Sequence, residues 1–360
     1  MTQAILLVGG QGTRLRPLTM STPKPMLPVA GFPCTEHQIA RAREAGITHI
    51  VLGTSYRAEV FEEYFAQRPN LGVELTYAVE AEPLGTGGAI RHAAEYLAGN
   101  PDDPVVVFNG DILTGLNIAA LVQRWRDAQA DVAIYLTRVT DPRAYGLVPT
   151  DADGTVLAFT EKPQFDHEIV TDQINAGCYV FKRRIIDQIP LGPVVSVERE
   201  TFPGLLAAGA RVIGVVDDGY WLDLGTPLAF ARGSADLVQG IAPSPLLTGR
   251  TGAALTDDGT NISHAATVDG GSYLAAGVAV GAGAVVSGSV VYRNAVIAPG
   301  AVVVDSIVGA GSIIGDGSVL REAVIADAVR IGAGNELLSG TRVFPGVTVA
   351  DGAIRFSSDK

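Results

Sequence analysis

The stretch AILLVGGQGTRLRP, residues 4–17, joins a run of five apolar residues to a turn with three glycines and two arginines. The apolar run predicts a buried strand, and the glycines predict a tight turn at its end. The turn matches neither the P-loop motif GxxxxGK[ST] nor the dinucleotide motif GxGxxG. Gly9, Gly10 and Gly12 leave backbone amides open to phosphate oxygens, and Arg14 adds a planar cationic group. We therefore predict a polyphosphate site at the end of the first strand.

A second cationic group follows in the sequence TPKPM. Lys24 stands between Pro23 and Pro25, whose rings restrict the backbone that presents it. An ammonium group supplies a point charge where the arginine supplies a planar fork. The two side chains together are suited to a polyphosphate.

Apolar runs and helical patterns alternate along the first 140 residues. The runs predict strands at 4–8, 49–53, 73–79, 104–111 and 131–139, and the helical patterns lie at 36–46, 58–65, 86–97 and 118–128. This alternation is typical of an α/β fold, a Rossmann-like, mostly parallel sheet covered on both faces. Ligands of such sheets bind at the carboxyl ends of the strands. The sequence FNGD, which ends in Asp111, closes a central strand in this prediction.

The composition changes after residue 240. The segment IAPSPLL (241–247) contains two prolines among small residues and predicts a linker. Beyond it an aliphatic residue returns at every sixth position. These residues are Val290, Val296, Val302, Val308, Ile314 and Leu320. A period of six with many glycines indicates the hexapeptide repeats of a left-handed parallel β-helix, in which these aliphatic side chains are expected to stack into one core. We predict a catalytic domain at 1–240, a linker at 241–259 and the β-helix at 260–360.

Composition and charge exclude several classes of protein. The length of 360 residues favours two domains, and the net charge of −12 argues against binding to nucleic acid or to an anionic membrane surface. The first residues contain no basic leader, and no apolar stretch is long enough to span a membrane, so we expect a cytoplasmic protein. Cys34 and Cys178 are too few for a disulfide framework or a zinc site.

Six motifs in order resemble those of the sugar-nucleotide pyrophosphorylases, nucleotidyltransferases that act on sugar 1-phosphates. The motifs are GGQGTRLRPLTMSTPKPMLPV (9–29), EPLGTGGA (82–89), FNGD (108–111), EKP (161–163), INAG (174–177) and WLDLGTP (221–227). The resemblance covers nearly the whole chain and is strongest to the GDP-mannose pyrophosphorylases. It implies GTP and mannose 1-phosphate as substrates, with dTTP or UTP and glucose 1-phosphate as the alternative. It also suggests that the β-helix serves assembly, so we expect a homo-oligomer.

The resemblance also implies the reaction and the catalytic residues. An oxygen of the sugar 1-phosphate attacks the α-phosphorus of the nucleoside triphosphate and expels pyrophosphate, which requires alignment and charge neutralisation rather than a protein nucleophile. Asp111 and Asp223 are the implied carboxylate ligands of Mg²⁺. Arg14 and Lys24 are implied to hold the β- and γ-phosphates, and Lys162 the sugar phosphate. An isolated aspartate would more simply cap a turn or a helix.

Two further sets of residues follow from the resemblance. The implied nucleotide-binding residues are Gly9, Gly10, Gly12, Thr13, Arg14, Lys24, Glu80, Gly85 and Asn109. The implied sugar-binding residues are Tyr145, Gly146, Glu161, Lys162 and Asn175. The INAG motif, which contains Asn175, is predicted to end a further strand. A carboxylate beside the base could accept the N1 and N2 hydrogens of guanine. The sequence leaves open whether Glu80 or Glu82 faces the base.

Two other functions compete with this interpretation. Hexapeptide β-helices also occur in acyltransferases, which typically use a histidine of the coils as a base, and His264 is the one histidine in that region. A catalytically silent regulatory subunit could keep the fold and bind sugar nucleotides. Such a subunit would be expected to lose the arginine, the lysine or the carboxylates, all of which are present here.

Overall fold

The computed structural model describes residues 2–55 and 57–355, and the chain divides into two compact units. The sheet unit comprises Met1–Gly10 and Gln38–Trp221, and the β-helix unit comprises Gln11–His37 and Leu222–Lys360. The Gly-rich turn is therefore shared, because the break between the two units falls after Gly10. The boundaries at 240 and 260 stay a prediction.

A mixed sheet forms the centre of the sheet unit. Its described strands are β1 Gln3–Leu7, β2 His49–Thr54, β3 Glu74–Val79, β4 Pro104–Asn109, β5 Val132–Arg138, β6 Gly146–Leu147, β7 Thr160–Glu161, β8 Gln173–Lys182 and β9 Val212–Val216. The strand order is β7-β6-β8-β4-β1-β2-β3, and β5 joins β8 to β9. The strands β1 to β4 are parallel, whereas β8 runs antiparallel to β4 and β5. The predicted mostly parallel sheet is confirmed.

Helices cover the sheet and connect its strands. They are α1 Cys34–Glu44, α2 Ala58–Ala66, α3 Gly85–Ala93, α4 Ile118–Asp127, α5 Arg183–Ile186 and α6 Phe202–Ala207. A further helix, α7 Pro227–Gln239, belongs to the β-helix unit. Short helical turns lie at Thr13–Leu15, Leu18–Met20, Lys24–Met26, Ala94–Tyr96, Asp166–Glu168, Val197–Thr201 and Pro245–Leu247. Short strands lie at Pro28–Val29, Phe32–Pro33, Ile112–Thr114 and Trp221–Asp223. The predicted alternation of strands and helices through residue 139 is thus confirmed.

The core of the sheet unit lies between the strands and the helices that follow them. Apolar side chains of the central strands, such as Ile5 and Val107, are buried together with Ile90 of α3. The ring of Phe181 stacks on that of Phe202 at 5.9 Å. Burial of a side chain of this size stabilises the fold by roughly 1.5–3 kcal/mol. This packing holds the strand ends, and hence the residues that follow them, in fixed positions.

Three parallel sheets form the β-helix. The first contains Ala254–Thr256, Ser272–Leu274, Val290–Val291, Ile307–Val308, Val324–Ile325 and Arg342–Val343. The second contains Asn261–Ile262, Ala279–Val280, Val296–Ile297, Ile313–Ile314, Arg330–Ile331 and Thr348–Val349. The third contains Thr267–Asp269, Val285–Ser287, Val302–Val304, Val319–Arg321 and Glu336–Leu337. The predicted hexapeptide β-helix fits this arrangement.

The repeat departs from a strict period of six. Val290 pairs with Ile307, so one coil takes 17 residues rather than 18. Side chains five residues apart, such as Val303 and Val308, fill the same core, because one corner of each such coil is one residue shorter. The expectation that Val296 points into the core is therefore wrong, since its side chain lies outside that core and is 36% exposed.

Val290 and Val302 also lie outside the core cluster of the β-helix, whereas the predicted residues Val308, Ile314 and Leu320 belong to it. At the first two positions the shortened corner shifts the inward side chain by one residue, to Val291 and Val303. Residues with positive φ allow these corners, among them Asp305 at 47°.

The segment 241–259 is ordered along its length. Leu247 is 2% exposed in the helical turn Pro245–Leu247, and Ala254–Thr256 is already a strand of the β-helix.

Of the helices in the described residues, none combines the length and the apolar character that a membrane crossing requires.

Candidate active site

The ends of β1 and β4 form one edge of the site in the sheet unit. The two strands are parallel, and Leu7 lies opposite Asn109. The amide of Gly110 donates a hydrogen bond of 2.8 Å to the carbonyl of Leu7, and a β-carbon at position 110 would lie 2.6 Å from that oxygen. Glycine therefore lets the two strand ends approach. Asp111 and the first glycines of the Gly-rich turn follow these neighbouring strand ends.

Gly9 and Gly10 need glycine for different reasons. A β-carbon on Gly9 would lie 3.0 Å from Ser55 Oγ, whereas Gly10 has open space around it but a φ of +105°. Side-chain-bearing residues rarely adopt that conformation. The backbone at the end of β1 is thus exposed to a ligand without a side chain covering it.

The INAG motif lies inside β8 and not at the end of a strand as predicted. Asn175 pairs with Leu136 and Tyr179 with Ile134, so the register shifts between them in a bulge. Bulges of this kind redirect side chains beside active sites. Asn175 Nδ2 donates to Tyr179 Oη at 2.8 Å, and its Oδ1 accepts the Gly177 amide at 3.0 Å. The asparagine side chain is fixed in place by the bulge.

The same bulge connects the sugar motifs to an aromatic pair. Trp221 Nε1 donates to the carbonyl of Ala176 at 2.9 Å. The indole ring meets the ring of Tyr145 edge to face, with centroids 5.5 Å apart. A β-carbon on Gly177 would lie 2.9 Å from Asn109 Nδ2, which places the bulge against the end of β4. The predicted residues Tyr145, Asn175 and Asn109 thus lie around one part of the sheet unit.

The hairpin of β6 and β7 positions the predicted carboxylate. Gly146 lies opposite Glu161, and a β-carbon on Gly146 would lie 2.7 Å from Glu161 Oε2. Lys162 Nζ lies 3.7 Å from Glu161 Oε1, and the amide of Lys162 donates to the carbonyl of Tyr145 at 3.1 Å. The φ of Lys162 is +51°, an uncommon conformation that is often found at functional sites.

Burial raises the pKa of Glu161 above its ordinary value, and the negative charge of Glu198 raises it further. Glu198 itself lies in the helical turn Val197–Thr201. Its Oε2 accepts hydrogen bonds from Thr86 Oγ1 at 2.6 Å and from Ser196 Oγ at 2.9 Å. Because Thr86 follows Gly85 in the EPLGTGGA motif, Glu198 joins that loop to the surroundings of Glu161.

The loop EPLGTGGA packs closely on the segment around Val195. Gly85 has a φ of +71°, and a β-carbon there would lie 2.6 Å from the carbonyl oxygen of Val195. Glu80 is buried and its Oε2 accepts the Leu84 amide at 3.1 Å, while Glu82 is exposed. Burial raises the pKa of Glu80. Glu80 therefore shapes the loop.

The β-helix unit contains Arg14 and Lys24, the two cations predicted to bind the polyphosphate. Gly12 has a φ of +56°, and a β-carbon on it would lie 2.8 Å from Lys24 Cβ. Thr19 Oγ1 donates to the carbonyl of Gly12 at 2.9 Å. Thr13 and Arg14 form the exposed start of the helical turn Thr13–Leu15. The turn folds back on the TPKPM segment, which brings the two predicted cations into one unit.

Arg14 and Asp223 flank Gly225 of the WLDLGTP motif, and Lys24 pairs with the same aspartate. A β-carbon on Gly225 would lie 2.8 Å from Arg14 Nη2 and 3.0 Å from both carboxylate oxygens of Asp223. Lys24 Nζ lies 3.5 Å from Asp223 Oδ1. Lys24 is 8% exposed, so this charge pair is largely removed from water. The four residues form a compact cluster of two cations, one carboxylate and a glycine.

The carboxylates have the donor chemistry of a magnesium site. Within residues 2–55 and 57–355 there is no group of three or more His, Cys, Asp or Glu side chains that could hold a metal ion. Mg²⁺ prefers hard oxygen ligands and is commonly bound through one or two carboxylates together with substrate phosphates. Asp223, beside two cations that suit phosphate, fits such a site.

Three contributors were missed by the sequence-based prediction. Trp221 and Gly225 lie inside WLDLGTP, so the motif itself carried the signal. Glu198 lies in no recognised motif, and only its hydrogen bonds to Thr86 and Ser196 identify it.

Two family models match the chain. The model described as nucleotidyl transferase matches residues 3–240, and the model described as GMPPB C-terminal domain matches residues 250–355. Together they account for both the sheet and the β-helix.

Three known proteins illustrate the likeness. The mannose-1-phosphate guanylyltransferase of Mycobacterium tuberculosis (strain ATCC 25618 / H37Rv) is 51% identical over 357 residues, which cover 99% of this chain and 98% of that protein. The mannose-1-phosphate guanylyltransferase catalytic subunit beta of Drosophila pseudoobscura pseudoobscura is 40% identical over 64% of this chain and 61% of that protein. The crystal structure of HddC from Yersinia pseudotuberculosis complexed with GMP-PN has a TM-score of 0.55, with 28% identity over 64% of this chain and 96% of that one.

Proposed function

The chain belongs to the nucleotidyl transferase family, and on that premise we propose that it transfers a guanylyl group from GTP to mannose 1-phosphate. A phosphate oxygen of mannose 1-phosphate attacks the α-phosphorus of GTP, the bond to the β-phosphate breaks, and the products are GDP-mannose and pyrophosphate. The observation that carries the proposal is the 51% identity with the mycobacterial guanylyltransferase over nearly the whole of both chains.

Arg14 and Lys24 would bind the β- and γ-phosphates and the departing pyrophosphate. Arg14 is exposed and offers a planar fork of donors, and Lys24 is buried beside Gly12 and offers a point charge. The amides around Gly9, Gly10, Gly12 and Thr13 add donors without side chains in the way. Groups of this kind accelerate phosphoryl and nucleotidyl transfer mainly by alignment and by neutralising charge.

Asp111 and Asp223 are proposed as the oxygen ligands of Mg²⁺. When bound, the ion would neutralise charge on the phosphates of the substrate. Lys24 compensates the charge of Asp223, since Nζ lies 3.5 Å from Oδ1. Asp223 would exchange that partner for the metal, and Lys24 would exchange it for a phosphate.

The sugar would lie beside the bulge of β8 and the hairpin of β6 and β7. Glu161 can accept hydrogen bonds from sugar hydroxyls, and Gly146 leaves room for its carboxylate. Tyr145, supported by Trp221, would form an apolar wall, and Asn175 is held rigidly by Tyr179. The exposed ammonium of Lys162 would pair with the sugar phosphate.

The base would lie against the loop that starts at Glu80. Gly85 keeps this loop close to Val195, and Glu80 stabilises it from within through the Leu84 amide. A carboxylate has more acceptor sites than that one bond uses, so Glu80 can also accept hydrogens of guanine. Asn109, at the end of β4, is the remaining proposed nucleotide contact.

The experiment that tests this proposal measures pyrophosphate release in the presence of Mg²⁺. GTP, dTTP, UTP and ATP are each combined with mannose 1-phosphate and with glucose 1-phosphate. We expect GTP with mannose 1-phosphate to give the highest rate. A higher rate with dTTP or UTP and glucose 1-phosphate would contradict the proposed specificity and leave nucleotidyl transfer in place, whereas no turnover in any combination would favour the regulatory subunit.

A further inference from the structure

One outer face of the β-helix is buried. In the first sheet Leu274, Val291, Val308, Ile325 and Val343 point into the core of the β-helix. Their neighbours Tyr273, Val290, Ile307 and Val324 lie in register with one another outside that core, yet each is at most 3% exposed. The outer side of this sheet is therefore covered by other parts of the chain.

The second sheet shows the contrast. Its outward positions Val296, Arg330 and Thr348 are exposed. Sheets of a parallel β-helix normally present their outer side chains to solvent once the inner row has filled the core. The burial of the first sheet is thus a property of that face and not of the β-helix in general.

The segment 11–37, which carries Arg14 and Lys24, contacts this face at three places. Tyr292 Oη donates to the carbonyl of Pro28 at 3.0 Å, and Arg342 Nη1 donates to the carbonyl of Arg16 at 2.9 Å. A β-carbon on Gly31 would lie 3.3 Å from the ring of Tyr273. Burial raises the pKa of the Tyr292 phenol, so it remains a donor. The contacts hold the segment just after Arg14, at Arg16, and on both sides of Lys24.

Helix α7 completes the attachment. Ser234 Oγ accepts the amide of Ala30 at 3.0 Å. A β-carbon on Gly271 would lie 2.5 Å from the carbonyl oxygen of Ala235, so the first coils of the β-helix pack closely on the same helix. The segment, the helix and the first sheet are therefore tied together by short contacts within one unit.

We propose that the outer face of the first sheet is a positioning platform for the phosphate-binding segment 11–37, with Tyr292 and Arg342 as its positioning residues. The β-helix then contributes to nucleotide binding and turnover within a single chain, in addition to any part in assembly. The expected effect on nucleotide binding and turnover rests on the proposed function. The restraint of the segment 11–37 by these side chains is independent of that function.

The test uses the full-length chain with the variants Tyr292→Phe, Arg342→Ala and both together. Hydrogen exchange of the amides between residues 11 and 31, measured without substrate, should become about tenfold faster in the double variant, because two restraining hydrogen bonds are lost. Arg342→Lys, which keeps a donor, should restore most of the protection. Arg330→Ala, in an exposed position of the second sheet, is the matched control and should match the unmodified protein.

Steady-state kinetics of the same variants separate positioning from general destabilisation. In the double variant kcat/KM for GTP should fall about tenfold, since misplacement of charge-stabilising groups lowers turnover. The KM for mannose 1-phosphate should stay unchanged, because its proposed contacts lie in the sheet unit. Unchanged amide exchange in the double variant would overturn the platform. An equal fall in kcat/KM for GTP and for mannose 1-phosphate, together with a lowered melting temperature, would also overturn it. Faster exchange in a chain that fails to turn over GTP would support the platform and contradict the proposed function.

Discussion

Lys24 Nζ lies 3.5 Å from Asp223 Oδ1, in a pair whose side chains are only 9% and 23% exposed. Removing one partner of such a pair leaves the other charge with poor solvation. The two residues come from distant parts of the sequence and are proposed to bind opposite charges, a phosphate and a metal ion. Each charge of the pair therefore compensates the other, which makes each residue sensitive to changes in the other.

Lys24→Gln should lower kcat by about 10²- to 10³-fold, the loss found when a single charge-stabilising donor is removed from an active site. It should also lower the free energy of unfolding, because the Asp223 carboxylate loses its partner. Lys182→Gln is the matched control, since Lys182 pairs with Asp131 at 2.8 Å with similar exposure. The control should lose stability but keep kcat. Initial-rate assays measure kcat, and urea denaturation measures the free energy of unfolding. Equal kcat values for the two variants would contradict the role of Lys24.

Asp111→Asn should abolish Mg²⁺-dependent turnover while the protein stays folded. The amide is nearly the same size as the carboxylate but is a neutral and weaker ligand for a hard cation. Titration of Mg²⁺ against the initial rate, with circular dichroism as the check on folding, measures the effect. Asp258→Asn, at an exposed position of the β-helix unit, should behave as the unmodified chain. Near-normal turnover in the Asp111 variant would remove this residue from the metal site.

Gly146→Ala should raise the KM for mannose 1-phosphate by about tenfold. The added methyl group would lie 2.7 Å from Glu161 Oε2 and 2.9 Å from Phe159 Cε1. The side chains would have to shift to avoid these contacts, and such overpacking typically costs roughly 1–3 kcal/mol of stability. The KM for GTP should change little. Gly204→Ala introduces the same methyl group in α6 with nothing within 4 Å, so it should leave both constants unchanged. An unchanged KM for mannose 1-phosphate in Gly146→Ala would contradict a role of Glu161 in sugar binding.

Glu198→Gln should shift the acidic limb of the pH profile. Burial, and after it the charge of Glu198, raises the pKa of Glu161, so the Glu161 carboxylate is protonated at a higher pH than an ordinary glutamate. If the carboxylate is the active form, kcat/KM for mannose 1-phosphate falls as the pH drops through that raised pKa. Removing the charge of Glu198 lowers the pKa, and the limb should move to lower pH.

The control for this pH experiment is Glu200→Gln. Glu200 accepts the Ser196 amide at 2.9 Å, whereas the charges that shift the pKa of Glu161 are those of Glu198, Lys162 and Arg199. Its profile should overlie that of the unmodified chain. An unshifted limb in Glu198→Gln, or a shift of equal size in both variants, would show that Glu198 does not act on Glu161.

Much of the fold could be predicted because its signals are local. Continuous apolar runs separated by helical patterns gave β1 to β5 nearly to the residue, and the period of six gave the β-helix. The strict period failed at Val296 and Val302, because the short corner between Val303 and Val308 shifts the inward positions by one residue. A count of six that fits Val308 and the residues after it therefore misses those before the corner. That corner has no distinctive sequence, since Asp305 and Gly288 serve at equivalent corners.

The residue types available for the chemistry can be identified from the amino-acid sequence: glycines after the first strand, two cations in one short segment, and carboxylates in FNGD and WLDLGTP. The contacts of Lys24 with Asp223, of Trp221 with Tyr145, and of the β-helix with the segment 11–37 are visible in the folded chain alone. A backbone conformation or a periodic apolar pattern depends on neighbours in the chain, whereas a ring contact between residues 76 positions apart or an ion pair between residues 199 positions apart depends on the packing of the whole unit.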